Sequence, residues 1–241
     1  MKTLRLLLVP VISLFFVVQL DAQMWFDLGF KVGYGPTIMY NKNIFDDRTY
    51  DHELTAGSVL GGKLGVNFAD HHAFTFDYTS SKSKQFFEFE FGGQNGARNE
   101  YEWDHSDILI MYRYSGNSAF VEIGPKFTSV KDVRQRFMAS PEGDVSDLFE
   151  DNYTSVVFGF GSYLLGTDLF TMQLGVRLHY ALGDFVNADG IAANYPTIER
   201  SYADYKDTKA TAVQFSVEFN YAFGRFAKAA CSHRWRLILF Q

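Results

Sequence analysis

The sequence predicts an all-β fold, an eight-stranded antiparallel up-and-down transmembrane β-barrel with its N- and C-termini together on the periplasmic side. Three observations lead there. In LFTMQLGVRLHYALGD (169–184), Phe170, Met172, Leu174, Val176, Leu178, Tyr180 and Leu182 alternate with Thr171, Gln173, Gly175, Arg177, His179, Ala181 and Gly183. Period 2 places the two sets on opposite faces of a strand. The run outlasts both the roughly 5–6 residues of an ordinary strand and the about 9–11 that cross a bilayer at a tilt. Stretches of this kind are joined by connections that alternate short and long, as in bacterial outer-membrane barrels. The face opposite the apolar one carries charge, which suits the inside of a narrow barrel better than a dry core, where unpaired ions are costly.

The chain opens with Lys2 and Arg5, an apolar run over 6–18 and Leu20-Asp21-Ala22. That is the layout of a cleaved export signal over 1–22. The run is shorter than the about 20 residues of a helical span, and nothing later in the chain reaches that length. Mean hydropathy is −0.11. Cleavage removes two cations and the anion Asp21, taking the net charge from −6 to −7. No basic patch offers itself to a nucleic acid. The single Cys231 allows no internal disulfide, so an exported chain needs another source of stability, and barrel closure provides one by pairing every strand edge.

The strands follow in order over 23–226. The first, 26–40, sets Phe26, Leu28, Phe30, Val32 and Tyr34 against Asp27, Gly29, Lys31, Gly33 and Gly35. The second, 54–69, sets Leu60, Leu64, Val66 and Phe68 against Gly61, Lys63, Gly65 and Asn67. The third opens with Phe74, Phe76 and Tyr78 against Thr75 and Asp77, and the fourth ends with Ile108, Ile110, Tyr112 and Tyr114 against Leu109, Met111 and Arg113. The fifth, 119–131, opposes Val121, Ile123 and Phe127 to Glu122, Gly124, Lys126 and Thr128. The sixth alternates Val156, Phe158, Phe160 and Leu164 with Val157, Gly159, Gly161 and Tyr163; the seventh is the opening stretch. The eighth, 209–226, opposes Val213, Phe215, Val217, Phe219, Tyr221 and Phe223 to Gln214, Ser216, Glu218, Asn220 and Ala222.

Connections at 69–72, 115–118 and 166–168 are short; those at 41–53, 92–99, 132–152 and 186–208 are longer. Aromatics recur near the short turns, as an interfacial girdle requires. Pro36 and Pro125 each follow a glycine inside a strand, and a lost ladder donor predicts a bulge or bend at each. Past Ser80 the outward register turns to Lys82, Lys84, Glu88 and Glu90, with Glu100, Glu102 and Asp104 facing them. Such charges do not face lipid cheaply, so this hairpin should project above the bilayer. Its other face holds Phe87, Phe89, Phe91, Tyr101 and Trp103, either a cap covered by the loops 132–152 and 186–208 or a dock for a partner, because apolar patches of this kind are rarely left open.

Inward positions place Lys31, Lys63, Arg113, Lys126 and Arg177 with Asp77, Glu122 and Glu218, and about eight strands enclose a space that side chains fill. These charges are expected to pair and to exclude a general porin. Catalytic signals are weak: His105 and Ser106 lie between Asp104 and Asp107, but neighbours along a strand point to opposite faces and make no triad by adjacency. His71-His72 occupies a turn with too few partners for a metal. The acidic run Glu142, Asp144, Asp147, Glu150 and Asp151 lacks calcium-loop spacing. No enzyme activity, metal or cofactor is expected.

In AFVEIGPKF (119–127), LGVRLHYALGDF (174–185) and VQFSVEFNYAFGRF (213–226), the chain resembles the outer-membrane β-barrel domain family of the Bacteroidota, the PorT-like group. The resemblance implies an eight-stranded barrel with no shared catalytic residues, and the chain departs from it in carrying a tail, 227–241, expected in the periplasm. The expected role is a small outer-membrane barrel acting in structure, adhesion or docking through its external loops, with the lipid bilayer, the barrel assembly machinery and a protein at the loops as partners. Two alternatives remain: a soluble or periplasmic lipocalin-like carrier, and a small outer-membrane lipid-modifying enzyme with His, Ser and acidic groups meeting near the outer rim.

Overall fold

The computed structural model describes residues 24–68, 71–91, 94–167, 169–198, 200–223 and 236–237. The expected signal over 1–22 lies outside them, as does the tail over 227–241 apart from 236–237. The elements in order are β1 (Trp25–Asn41), α1 (Lys42–Asp46), β2 (Tyr50–Glu53), β3 (Thr55–Phe68), β4 (His72–Phe91), β5 (Gln94–Ser115) and β6 (Ala119–Phe137). They continue with β7 (Gly143–Asp144), a 3-10 turn (Ser146–Leu148), β8 (Asn152–Gly166), β9 (Phe170–Ala181), α2 (Ala188–Ala192), β10 (Thr208–Phe223) and β11 (Arg236–Leu237).

Each of the eight long strands is hydrogen bonded antiparallel to a partner on both sides. The ladders run β1–β3, β3–β4, β4–β5, β5–β6, β6–β8, β8–β9, β9–β10 and β10–β1, so the pairings return to their start. The short strands decorate this ring: β2 lies on β4, β7 on β6 and β11 on β8. Phe26 opposes Phe223 and Trp25 opposes Asn67, which places the start of β1, the end of β10 and the short turns at one end of the ring. Aromatic pairs gather at that end, including Phe26–Phe223 at 5.9 Å, Phe170–Tyr221 at 4.9 Å and Phe74–Tyr112 at 5.7 Å between ring centres.

Period 2 translates directly into two unlike surfaces. Outward positions such as Leu28, Phe30, Phe76, Ile123, Phe158 and Phe219 are exposed, whereas Lys31, Lys63, Asp77, Arg113 and Arg177 are buried. A one-residue slip would exchange the two sets, so the pattern fixes the register strongly.

Two expectations are corrected, the bulge at each proline and the length of the fifth strand. Pro36 and Pro125 produce no register shift: Tyr34↔Phe215 and Thr37↔Ala212 share one register, as do Leu109↔Lys126 and Tyr112↔Ile123. Each proline keeps a partner in its other ladder, Pro36↔Ala56 and Pro125↔Val156. The preceding glycines explain it. A Cβ on Gly35 would meet the Val213 carbonyl, and one on Gly124 the Ile110 carbonyl, so losing that atom lets the neighbouring strand approach where the proline withholds its donor. The register shifts lie elsewhere, between Phe89 and Phe91, Asp104 and His105, and Tyr163 and Leu165. The second correction concerns length. β6 continues to Phe137 and pairs with β5 as far as Asn99↔Phe137, so a three-stranded sheet, β4–β5–β6, rises beyond the apolar belt.

Candidate functional site

The ring interior is filled in layers. Nearest the short turns, Phe120 lies across the bare backbone of Gly161 and Gly175, where a Cβ on Gly161 would collide with its ring. The Arg113 guanidinium stacks over Phe120 at 4.1 Å. Above it, Lys31 pairs with Asp77 at 2.5 Å and Glu218 at 2.7 Å, and Lys63 with Glu218 at 3.2 Å and Asp27 at 3.4 Å. Arg113 reaches Glu122 at 2.8 Å and Glu218 at 3.1 Å; Arg177 reaches Asp77 at 2.7 Å and Glu122 at 2.5 Å. Four cations meet four carboxylates, and seven of the eight side chains are no more than 3% exposed. Buried ions persist only when paired and hydrogen bonded, and here Gln173 adds an acceptor to Arg113 at 2.7 Å. Seven of the eight predicted interior charges enter this network or, for Arg177 and Arg113, bridge its halves.

Lys126, the eighth, stands apart, toward the end of the ring away from the short turns. It pairs with Asp107 at 3.5 Å, with its ammonium 5.6 Å from the Tyr153 ring centre. Asp107 also accepts from Thr128 at 2.7 Å and Ser81 at 2.9 Å, and lies 3.0 Å from His105 Nδ1. His105 Nε2 is 3.2 Å from Ser83 Oγ. The adjacency argument holds for Asp104 and Ser106, which point outward, but His105 and Asp107 are two residues apart and share the inward face. Ser83 joins them from the neighbouring strand. Asp27, Gln173, His179 and Gln214 also stand inward, on the face that the sequence alternation assigns them, and are polar partners of the interior beyond the eight expected charges.

The aromatic face of the hairpin is covered by the chain's own loops. Trp103 packs on Phe185 at 5.5 Å, Tyr101 on Phe149 at 5.8 Å and Tyr195 at 6.3 Å, and Phe87 on Tyr101 at 6.1 Å. Phe89 contacts Tyr50 at 5.6 Å and Phe137 at 5.9 Å. The Tyr101 hydroxyl donates to the Pro196 carbonyl at 2.8 Å. The cluster includes Met39, Ile44, Val133, Tyr153 and Val186, so the chain's own residues roof this face. The side chain of Phe91 lies outside the described residues.

Outside the belt, β4–β5–β6 carries a ladder of exposed ion pairs. Lys82 pairs with Asp104 at 3.2 Å, Lys84 with Glu102, and Arg134 with Glu102 at 2.9 Å, Asp104 at 3.1 Å, Asp132 at 2.7 Å and Glu142 at 3.2 Å. Burial pushes the Glu102 carboxyl up, but Lys84 and Arg134 outweigh it and hold it below its ordinary range. Asp47 is likewise held low: slight burial raises it, and the Thr49 backbone and hydroxyl, Tyr202 and the Arg200 guanidinium lower it further. The two turn histidines are engaged locally, His71 with the Ser115 carbonyl at 2.8 Å and His72 with the Tyr112 hydroxyl at 2.6 Å. Among the described residues, no three His, Cys, Asp or Glu side chains are grouped to hold a metal.

No protein-family model matches the chain, and no curated protein matches it in sequence. Solved structures similar to it are small outer-membrane β-barrel proteins. Neisserial surface protein A (NspA) matches at 10% identity over 80% of this chain and 95% of its own, with a TM-score of 0.41. The outer membrane protein OprG from Pseudomonas aeruginosa matches at 11% identity over 83% and 96%, TM-score 0.41. Ail, the attachment invasion locus protein of Yersinia pestis, matches at 10% identity over 82% and 98%, TM-score 0.39. These likenesses are loose, and no residue or role passes from those proteins to this one.

Proposed function

We propose that the chain is a small outer-membrane β-barrel, inserted by the barrel assembly machinery after export, whose lumen is plugged by paired charge. Its long loops and the β4–β5–β6 extension form a rigid external platform with a structural, adhesive or docking role. One observation carries this reading: a continuous apolar surface on the outside of a ring whose inside is ionic. From Phe26 to Tyr34, eight steps of about 3.3 Å at a tilt of about 40° span roughly 20 Å, close to the about 25 Å apolar band of such barrels. In water, an outer surface with Leu28 58% and Tyr34 64% exposed, continued around the ring, would be far larger than the patches soluble proteins leave uncovered. A lipocalin-like carrier needs the opposite polarity, with an apolar inside and a polar outside.

The ion network speaks against a general diffusion pore, because the central layer is filled across its width. The test combines two measurements. Membranes are washed with carbonate, and the detergent-extracted protein is run on SDS gels with and without boiling. Retention in the pellet and a heat-dependent change in mobility are expected; release by carbonate, or identical mobility, overturns the barrel reading. Planar-bilayer recording separately tests the plug, and a large resting conductance contradicts it. Capture from outer-membrane extracts with the external loops intact or exchanged then identifies what the platform meets.

A further inference from the structure

We propose that Ser83, His105 and Asp107 form a serine-hydrolase triad at the outer end of the barrel interior, suited to a carboxylic ester with a short, acetyl-sized acyl group. The β4–β5 ladder sets Ser81 opposite His105 and Ser83 opposite Trp103, so all three side chains converge on one inward face. His105 Nδ1 lies 3.0 Å from Asp107 Oδ1 and Nε2 lies 3.2 Å from Ser83 Oγ. An ionised carboxylate only accepts, so Nδ1 carries the proton and donates it, leaving the Nε2 lone pair for the Ser83 hydroxyl. Asp107 is fixed in turn by Thr128, Ser81 and Lys126. Nucleophile, base and orienting acid thus stand in the relation that defines such a set, irrespective of fold or chain order.

A second observation points to a ligand. The triad lines a cavity of about 40 Å³ together with Lys126, His179 and Gln214. Among the described residues, Gln214 Nε2 and His179 Nδ1 have no hydrogen-bond partner, although their residues are only 6% and 5% exposed. Gln214 Oε1 accepts from His179 Nε2 at 3.0 Å, so the free amide N–H groups are donors and the free Nδ1 is an acceptor. Those are the two groups an ester hydrolase needs here: a donor for the carbonyl oxygen as it becomes negative, and an acceptor to hold a water. The cavity has room for about three waters or an acetyl group, and not for a long acyl chain.

In the reaction, His105 Nε2 takes the Ser83 proton as Oγ bonds to the ester carbon and the carbonyl oxygen becomes an oxyanion. The oxyanion collapses, the bond to the alcohol oxygen breaks, and the alcohol leaves with the proton from His105. Water then gives a proton to His105 as its oxygen adds to acyl-Ser83. Release of the acid returns that proton to Ser83 Oγ. Asp107 is a positioning residue.

The full chain, folded in detergent and verified by its heat-dependent mobility, is treated with methanesulfonyl fluoride, in which Oγ displaces fluoride from sulfur. The expected result is one adduct, mapped to Ser83, formed in the folded protein and not in the urea-unfolded protein. Hydrolysis of p-nitrophenyl acetate should fall at least 100-fold in Ser83→Ala and His105→Gln, and Asp107→Asn should displace the pH profile of turnover, which a mere structural prop would not do. The absence of an adduct on Ser83 in the folded, unmodified protein overturns the proposal without reference to any variant. Turnover in Ser83→Ala equal to that of the unmodified protein also overturns it.

Discussion

Arg177 and Glu218 offer a graded test of the interior network. Arg177 contacts Asp77 at 2.7 Å and Glu122 at 2.5 Å and lies 3.7 Å from Glu218. In Arg177→Ala, Asp77 keeps Lys31 and Glu122 keeps Arg113, so one negative charge is in excess but no carboxylate is stranded. Breaking a buried pair costs about 3–5 kcal/mol, and this variant belongs at the lower end, about 3 kcal/mol. Glu218→Gln removes the negative charge that Lys31 meets at 2.7 Å, Arg113 at 3.1 Å and Lys63 at 3.2 Å, leaving Lys63, among the described residues, ion-paired with Asp27 alone at 3.4 Å. It belongs at the upper end, about 5 kcal/mol. Urea unfolding in lipid vesicles, followed by tryptophan fluorescence and by gel mobility, measures both. Leu178→Ala, at an exposed position on the apolar outer face, serves as the control and should cost less than either. If both charge variants unfold within about 0.5 kcal/mol of the unmodified protein, as ordinary surface changes do, or if their order is reversed, the network does not hold the barrel together as described.

Other expectations follow from the same geometry. Planar bilayers containing the unmodified protein should show no large steady pore, whereas Arg177→Ala should open a small conductance and Leu178→Ala should not. Replacing Trp103 or Phe89 by Ser should lower stability, by about 3–5 kcal/mol for Trp103 as for other buried aromatic truncations, with no loss of a partner captured at the external surface; the reverse outcome would make this face a dock. The depressed Asp47 carboxyl sets a pH limit on the loop it pins through Arg200 at 2.5 Å and Tyr202 at 3.0 Å. A group whose folded pKa is lowered stabilises fully above its ordinary value of 3.8 and loses that contribution as pH falls through the lowered one. Protection of the amides around 200–205, relative to their intrinsic exchange at each pH, should therefore hold from pH 7 to pH 5 and fall only below about 3.8; a loss of protection between 7 and 5 contradicts the assignment.

Strand positions and the two faces are legible because an apolar outside and an ionic inside impose a period-2 contrast that survives in a single sequence. The contrast fades above the belt, and there the reading weakened. In β6, Val133 and Gln135 alternate with Arg134 and Arg136, a pattern that looks like loop because one face is charged and the other mixed. Pairing with β5 makes it strand. The Ser83–His105 contact spans a ladder, so it depends on a register that no local motif encodes. The roof is harder still: Phe149, Phe185 and Tyr195 come from irregular segments whose contacts obey no period.

Lys31 and Glu218 sit directly opposite each other in the ladder that joins the first long strand to the last, and their charged atoms are 2.7 Å apart. This ladder is the seam, the place where the sheet must find its own beginning. A misaligned zipper by one tooth would turn Lys31 toward the apolar outer face, at a cost of about 2–4 kcal/mol if that face meets the middle of a bilayer as proposed, and would leave Glu218 without its counterpart. The seam therefore carries a built-in alignment check. Elsewhere around the wall, tight turns or tethered loops dictate which residue meets which. At the seam no connecting segment does, and opposite charge supplies the missing instruction.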